Sequence, residues 1–150
     1  MFFLNKIYSQ WEYISNKSEN KIEAIGKVVF NEKFKDSIIF KLSKSRDLEL
    51  SFSIEGDFFQ EDETYYVILD ISERKFKASK AKVETGKYII CEIKDMVNSE
   101  RFEFEDILKI FKMGESLVLT IRNNLKVIQG VNQLIGSTTA INRVITNKVL

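Results

Sequence analysis

Residues 47–55 alternate without a fault: Leu48, Leu50, Phe52 and Ile54 fall on one side, and Asp47, Glu49, Ser51, Ser53 and Glu55 on the other. A period of two is the pleat of a β-strand, so this stretch predicts a strand with one buried and one wet face. Residues 64–71 carry a second signal. Tyr65, Val67, Leu69 and Ile71 alternate with Thr64, Tyr66, Ile68 and Asp70, which leaves both faces largely apolar and predicts a central strand covered on each side. The polar run Ser72-Glu73-Arg74-Lys75 turns the chain, and Phe76, Ala78 and Val83 resume the pattern as far as Gly86, where a turn comes at low steric cost. Residues 87–93 predict a further strand with Ile89, Cys91 and Ile93 on one face.

The flanking chain adds more strands. Residues 22–30 are rich in β-branched side chains and predict a strand with Gly26 as a candidate bulge. After a polar turn at 31–35, residues 37–42 predict another. Phe102 and Phe104 give at most a short strand, whereas Leu117, Leu119 and Ile121 alternate and lead through Asn123-Asn124 to a hairpin partner at 125–128. Helical spacing is confined to three places. Phe3, Ile7, Trp11 and Ile14, with Leu4 and Tyr8 beside them, predict an amphipathic helix over residues 2–15. Ile107, Leu108, Ile110 and Phe111 predict a short helix stopped near Gly114. Between 131 and 150 the apolar residues Leu134, Ile135, Ile141, Val144, Ile145 and Val149 are interrupted by Gly136 and Ser137-Thr138-Thr139, which predicts a broken helix or an exposed tail. The expected fold is mainly β: a small β-barrel or strongly curved antiparallel sheet with an N-terminal helix and C-terminal helical elements. It forms a single domain, with helix and loop at 1–20, the barrel core at 21–128 and a helix or tail at 129–150.

Composition narrows the chemistry. At 150 residues the chain can bury a real core, and 44% hydrophobic with 30% charged residues is the make-up of a soluble globular domain. A formal charge of +1 lacks the basic excess by which nucleic-acid binders neutralise phosphates. There is no histidine, which removes His-based general acid/base catalysis, Ser-His and Cys-His nucleophiles and the commonest metal ligand. The single cysteine, Cys91, cannot form an intramolecular disulfide and sits in an apolar strand pattern, so a buried thiol in a reducing compartment is expected. The apolar start Met1-Phe2-Phe3-Leu4 is too short for a signal segment or a membrane span, and the expected location is cytoplasmic. No catalytic constellation and no cofactor site is evident, so the expected class is a nonenzymatic module.

One family is similar over about residues 41–93. Arg46-Asp47-Leu48-Glu49-Leu50, then Val67-Ile68-Leu69-Asp70-Ile71-Ser72, then Gly86-Lys87-Tyr88-Ile89-Ile90 resembles a PilZ domain, a small β-barrel receptor for bacterial cyclic di-GMP. In that family an RxxxR motif before a strand and a later [DN]xSxxG motif hold the ligand. Asp70 and Ser72 match the first two fixed positions of the second motif, and Arg46 the second arginine of the first. Leu42 stands where the first arginine would be and Lys75 where the glycine would be, with Lys41 and Lys44 close by. The resemblance implies a regulatory or adaptor module with a protein partner, since family members lacking the arginines look like protein-interaction modules. It also implies cyclic di-GMP as a ligand for Arg46, Lys44, Asp70 and Ser72. The same Asp-x-Ser can instead be a local turn whose side chains bond backbone N–H groups.

Two other readings stay open. Arg74, Lys75, Lys77, Lys80 and Lys82 form the best basic run, and Lys75, Phe76, Lys77 and Lys80 would be the contact set of a nucleic-acid-binding small barrel. Lysines protecting a solvated strand edge give the same pattern. Alternatively, the aromatic N-terminus and apolar tail are buried between copies in a homo-oligomer or a larger assembly. The acidic loop at Glu61-Asp62-Glu63 lacks the spacing of a calcium site.

Overall fold

The computed structural model describes residues 10–30, 37–103 and 106–149. The 47–55 alternation becomes a strand only from Leu50 onward, with Phe52 and Ile54 facing the core, and its other face is less wet than expected: Ser51 and Glu55 are half-buried and Ser53 is buried. β3 (Ile38–Ser45) and β4 (Leu50–Glu55) form a hairpin that sets Phe40 against Ile54 and Leu42 against Phe52 on the inner face. Leu48 is in the connecting turn, exposed and at φ 64°. The remaining wall comprises β2 (Lys21–Phe30), β5 (Tyr66–Ile71), β6 (Arg74–Glu84), β7 (Lys87–Asp95), β9 (Ser116–Arg122) and β10 (Val127–Gln133). Neighbours run β2-β10-β9-β5-β6-β7-β4-β3, and β3 pairs back onto β2. Every pairing is antiparallel, so the eight strands close a β-barrel and leave no free edge in the ring.

At one end the ring is parted along two seams, and the chain fills both. β10 pairs with β2 only at Val29 and Phe30, and β1 (Trp11–Asn16) takes over the same edge alongside residues 21–26. On β7, β4 holds residues 87–90 and β8 (Arg101–Glu103) continues along 92–94. Into this parted end go α1 (Ile107–Phe111) and α2 (Ser137–Thr146), the latter packed on β1, β2, β3 and α1 through Ala140, Ile141 and Val144. A cluster of Trp11, Phe40, Phe52 and Phe111 fills the interior there, with ring centroids 5.6–6.2 Å apart. At the opposite end Phe58, Phe59, Tyr65 and Tyr88 pack together in the same way. Burial pushes the Tyr88 phenol up to about 12.

Several expectations change. Trp11 to Ser15 lie in strand β1 and not in a helix, because pairing with β2 satisfies their backbone while Trp11 is drawn into the core; residues 2–9 of that expectation lie outside the described residues. Gly26 is no bulge. It is opposite Trp11, and a Cβ there would penetrate the indole ring. The bulge lies instead where β6 slips against β7, between Ala78 and Ala81. That slip reverses the inward parity of β7, since Ile90 and Ile93 are both buried while Cys91 turns outward. The expected buried thiol is therefore exposed. The tail is partly strand: residues 131–133 complete β10, and Gly136, at φ 82°, leads into α2.

Candidate functional site

The sequence-derived ligand set is placed as follows. Lys44 ends the inner face of β3 and is buried; its Nζ donates to the carbonyls of Ile145 and, at 3.0 Å, Asn147. These are carbonyls at the C-terminal end of α2, where a cation also complements the helix dipole. Its ammonium is engaged inside the fold and does not face a ligand. Arg46 is exposed in the β3–β4 turn and donates to Asn20 Oδ1 at 3.3 Å. Asp70 is half-buried on the outer face of β5, level with Lys75. Ser72 is exposed at φ 49° beside Glu73 at φ 68°, a two-residue hairpin turn of the primed type, and donates to the Met113 carbonyl at 2.9 Å. β3 and β5 are four strands apart in a ring of eight, so Arg46 and Asp70–Ser72 stand on opposite sides of one rim. The fold does not bring the four together.

Removing the Lys44 charge tests its structural part. Lys44→Met keeps the stem and deletes the donor, and is expected to cost roughly 1–3 kcal/mol of stability. Hydrogen exchange at the Asn147 amide, which donates to the Arg143 carbonyl at 2.9 Å, should accelerate with it. Unchanged stability and exchange would remove the capping role.

In the basic set, Lys75, Lys77 and Lys80 reach the surface, but Phe76 points inward, fully buried against Phe102 at 5.8 Å. A ring in the core cannot stack on a base, which corrects its place in the nucleic-acid reading. Lys80 is paired with Glu92 at 3.6 Å. Beneath this run Arg74 donates to Asp95 Oδ2 at 2.7 Å, and Asp95 Oδ1 accepts the Val97 and Asn98 amides at 2.8 and 3.2 Å. The Arg74 guanidinium first, then those amides, hold the Asp95 carboxyl below its usual 3.8. A depressed carboxyl stabilises the fold above the unfolded-state value and loses that contribution as pH falls through the folded one. Asp95→Asn should therefore flatten the acid limb of the stability curve below about pH 4. Thermal melts across that range check it, and an acid limb identical to that of the unsubstituted protein would contradict it.

Sequence reading missed the outer wall across β2, β10, β9 and β5. Register places Val29 beside Val131, Val131 beside Val118, and Val118 beside Asp70 in one row. The adjoining rows run Gln129, Thr120, Ile68, Lys77 and then Val127, Arg122, Tyr66. Val29 is 52% and Val127 59% exposed; Val131, Val118 and Ile68 are half-buried. No family model, curated protein or solved structure matches this chain. Around the aliphatic stripe stand Lys27, Lys75, Lys77 and Arg122, with Asp70 the acid in these rows. Its sequence signal was the double-faced pattern at 64–71: the barrel interior covers Val67, Leu69 and Ile71, and Ile68 is left on the outside.

The buried side chains of the barrel form one continuous apolar cluster, and open clefts lie on the described surface between α1 and α2, between the 62–64 and 123–125 turns, and beside Lys77 and Lys94. Among the described residues no group of three or more His, Cys, Asp or Glu is arranged to hold a metal ion. Among the described residues no helix is long and apolar enough to cross a membrane.

Proposed function

We propose that the protein is a noncatalytic binding module, regulatory or adaptor in kind, whose outer wall over β2, β10, β9 and β5 receives an acidic protein partner. The observation that carries this reading is the aliphatic stripe Val29, Val131, Val118 and Ile68 on the outside of a barrel whose core is already complete. Outward β positions in a water-facing barrel are normally polar. Burying such side chains against a partner gains about 25 cal/mol per Å² of apolar area. The cations flanking the stripe select the sign of that partner's charge and speed its encounter. A cyclic dinucleotide held by Arg46 and Asp70 draws no support from their positions on opposite sides of the rim.

Selection from a random peptide display library against the folded protein tests the reading. Binders enriched in Asp or Glu beside aliphatic residues are expected, with binding abolished by Val131→Glu while the melting temperature holds. Binders indifferent to Val131→Glu would overturn the assignment of the wall. Light scattering separates one further occupant: a dimer dissolved by Val131→Glu would replace the acidic partner with a second copy of this chain.

A further inference from the structure

Next to this wall lies a cationic cleft with its own chemistry. Lys77 of β6 and Lys94 of β7 are directly opposite in register, so both ammonium groups leave the same face of the sheet. Like charges directly opposite destabilise a sheet. Neither lysine has an ion-pair partner among the described residues, although Lys80 and Lys82 on the same strand each have one. Both line a cleft of about 160 Å³ together with Tyr66, Asp95, Met96 and Ser99. The Tyr66 ring carries Lys77 Nζ at 5.6 Å and Arg122 Cζ at 4.9 Å from its centroid, so a third cation joins the cluster.

The carboxylate in this lining does not neutralise the pair. Asp95 is buried, with one oxygen on Arg74 at 2.7 Å and the other on the Val97 and Asn98 amides. Its charge is matched by Arg74. What the cleft offers a ligand is the two ammonium groups, the Tyr66 phenol and the Ser99 hydroxyl, all able to donate hydrogen bonds. The volume equals roughly five water molecules, below the 300 Å³ or more of a site for a whole nucleotide-sized ligand. It suits a single tetrahedral oxyanion.

We propose that Lys77, Lys94 and Tyr66 form a binding site for a phosphate group in its dianionic form. The anion would bridge the opposed lysines and replace their mutual repulsion with two charge-assisted hydrogen bonds. This site does not depend on the wall being a docking surface, and Val131→Glu should leave it intact. The phosphate is either the free ion or a monoester carried on another molecule; the recognised chemistry is the same.

Thermal melts and calorimetric titration with inorganic phosphate at constant ionic strength, with chloride as the reference ion, test the proposal. Saturable binding to the full chain is expected, tighter above the second ionisation of the phosphate probe. Lys77→Gln and Lys94→Gln should each weaken it roughly tenfold or more, whereas Lys112→Gln, in the α1–α2 cleft, should not. In phosphate-free buffer Lys94→Gln should raise the melting temperature, as repulsion is relieved. A phosphate response no larger than that to chloride, or one unchanged in both lysine variants, would overturn the site. Phosphoserine and phosphotyrosine serve as the second arm: tighter binding of either monoester than of inorganic phosphate assigns the group to a larger molecule, and equal or weaker binding assigns it to the free ion. Both orders uphold the site.

Discussion

Replacing Trp11 with alanine is expected to lower the unfolding free energy by roughly 3–5 kcal/mol, the range for truncating a buried large aromatic. The indole stacks on Phe40 at 6.2 Å and meets the edge of Phe111 at 5.6 Å, so its removal opens a cavity in the aromatic cluster. It also closes a seam. Trp11 Nε1 donates to Asn132 Oδ1 at 2.8 Å, and Asn132 Nδ2 donates to the Lys27 carbonyl at 2.7 Å, which ties β1, β10 and β2 together where β10 has left the β2 edge. Asn132 is fully buried, so losing the indole strands its acceptor at a further cost of about 1–3 kcal/mol if water cannot reach it. Gly26 has no Cβ because that volume belongs to the indole, and Gly26→Val should produce a comparable loss by expelling the ring. Denaturant titration followed by far-ultraviolet dichroism measures both, the protein's only tryptophan being absent from the first variant. A loss below about 1 kcal/mol for Trp11→Ala would mean that β1 does not staple the seam.

Phe111→Ala should cost a similar amount, about 3–5 kcal/mol, through a different chain of causes. α1 is only five residues long, and a helix of that length does not hold itself together in water. Its stability comes from Phe111, which enters the barrel end and packs edge-on against Phe40 and Phe52 at 6.1 Å each. Without the ring, the helix should melt locally before the barrel does. The Lys112 amide, donating to the Leu108 carbonyl at 3.1 Å, and the Met113 amide, donating to Ile110 at 3.1 Å, should lose protection from hydrogen exchange together. A double-mutant cycle with Trp11 should return a coupling of about 0.5–1.5 kcal/mol for the edge contact. Full protection of both amides in the variant would show that α1 is held by something other than Phe111.

How far the fold was legible depends on the range of the interaction that fixes each residue. The alternation at Leu50, Phe52 and Ile54 needs only the pleat and a core on one side, and it reads directly as β4. Trp11 does not read so. Its spacing from Phe3, Ile7 and Ile14 is helical, but its partners are Gly26, Phe40 and Asn132, and strand pairing with β2 outweighs a local periodicity. Cys91 and Ile93 were expected to share a face, and the break in the β6–β7 register, where Cys91 is an extra residue on β7, separated them. Lys44 is a cation that any local reading leaves at the surface; its carbonyl partners lie 101 and 103 positions further along the chain.

The candidate sites divide the same way. Asp70 and Ser72 were singled out by a short motif, yet the Ser72 hydroxyl meets the Met113 carbonyl, and the side chains that share one cleft are Lys77, Lys94 and Tyr66 from three different strands. By itself the sequence determined the β class, the near-neutral charge, the absence of histidine chemistry and the two-faced apolar pattern of residues 64–71, because these depend on composition and on neighbours a few positions away. The tertiary structure alone decided closure into eight strands, the two filled seams, the burial of Lys44 and the pairing of like charges on β6 and β7. Those follow from which strands become neighbours and in what register, and a one-residue shift in register exchanges the inside of a wall for its outside.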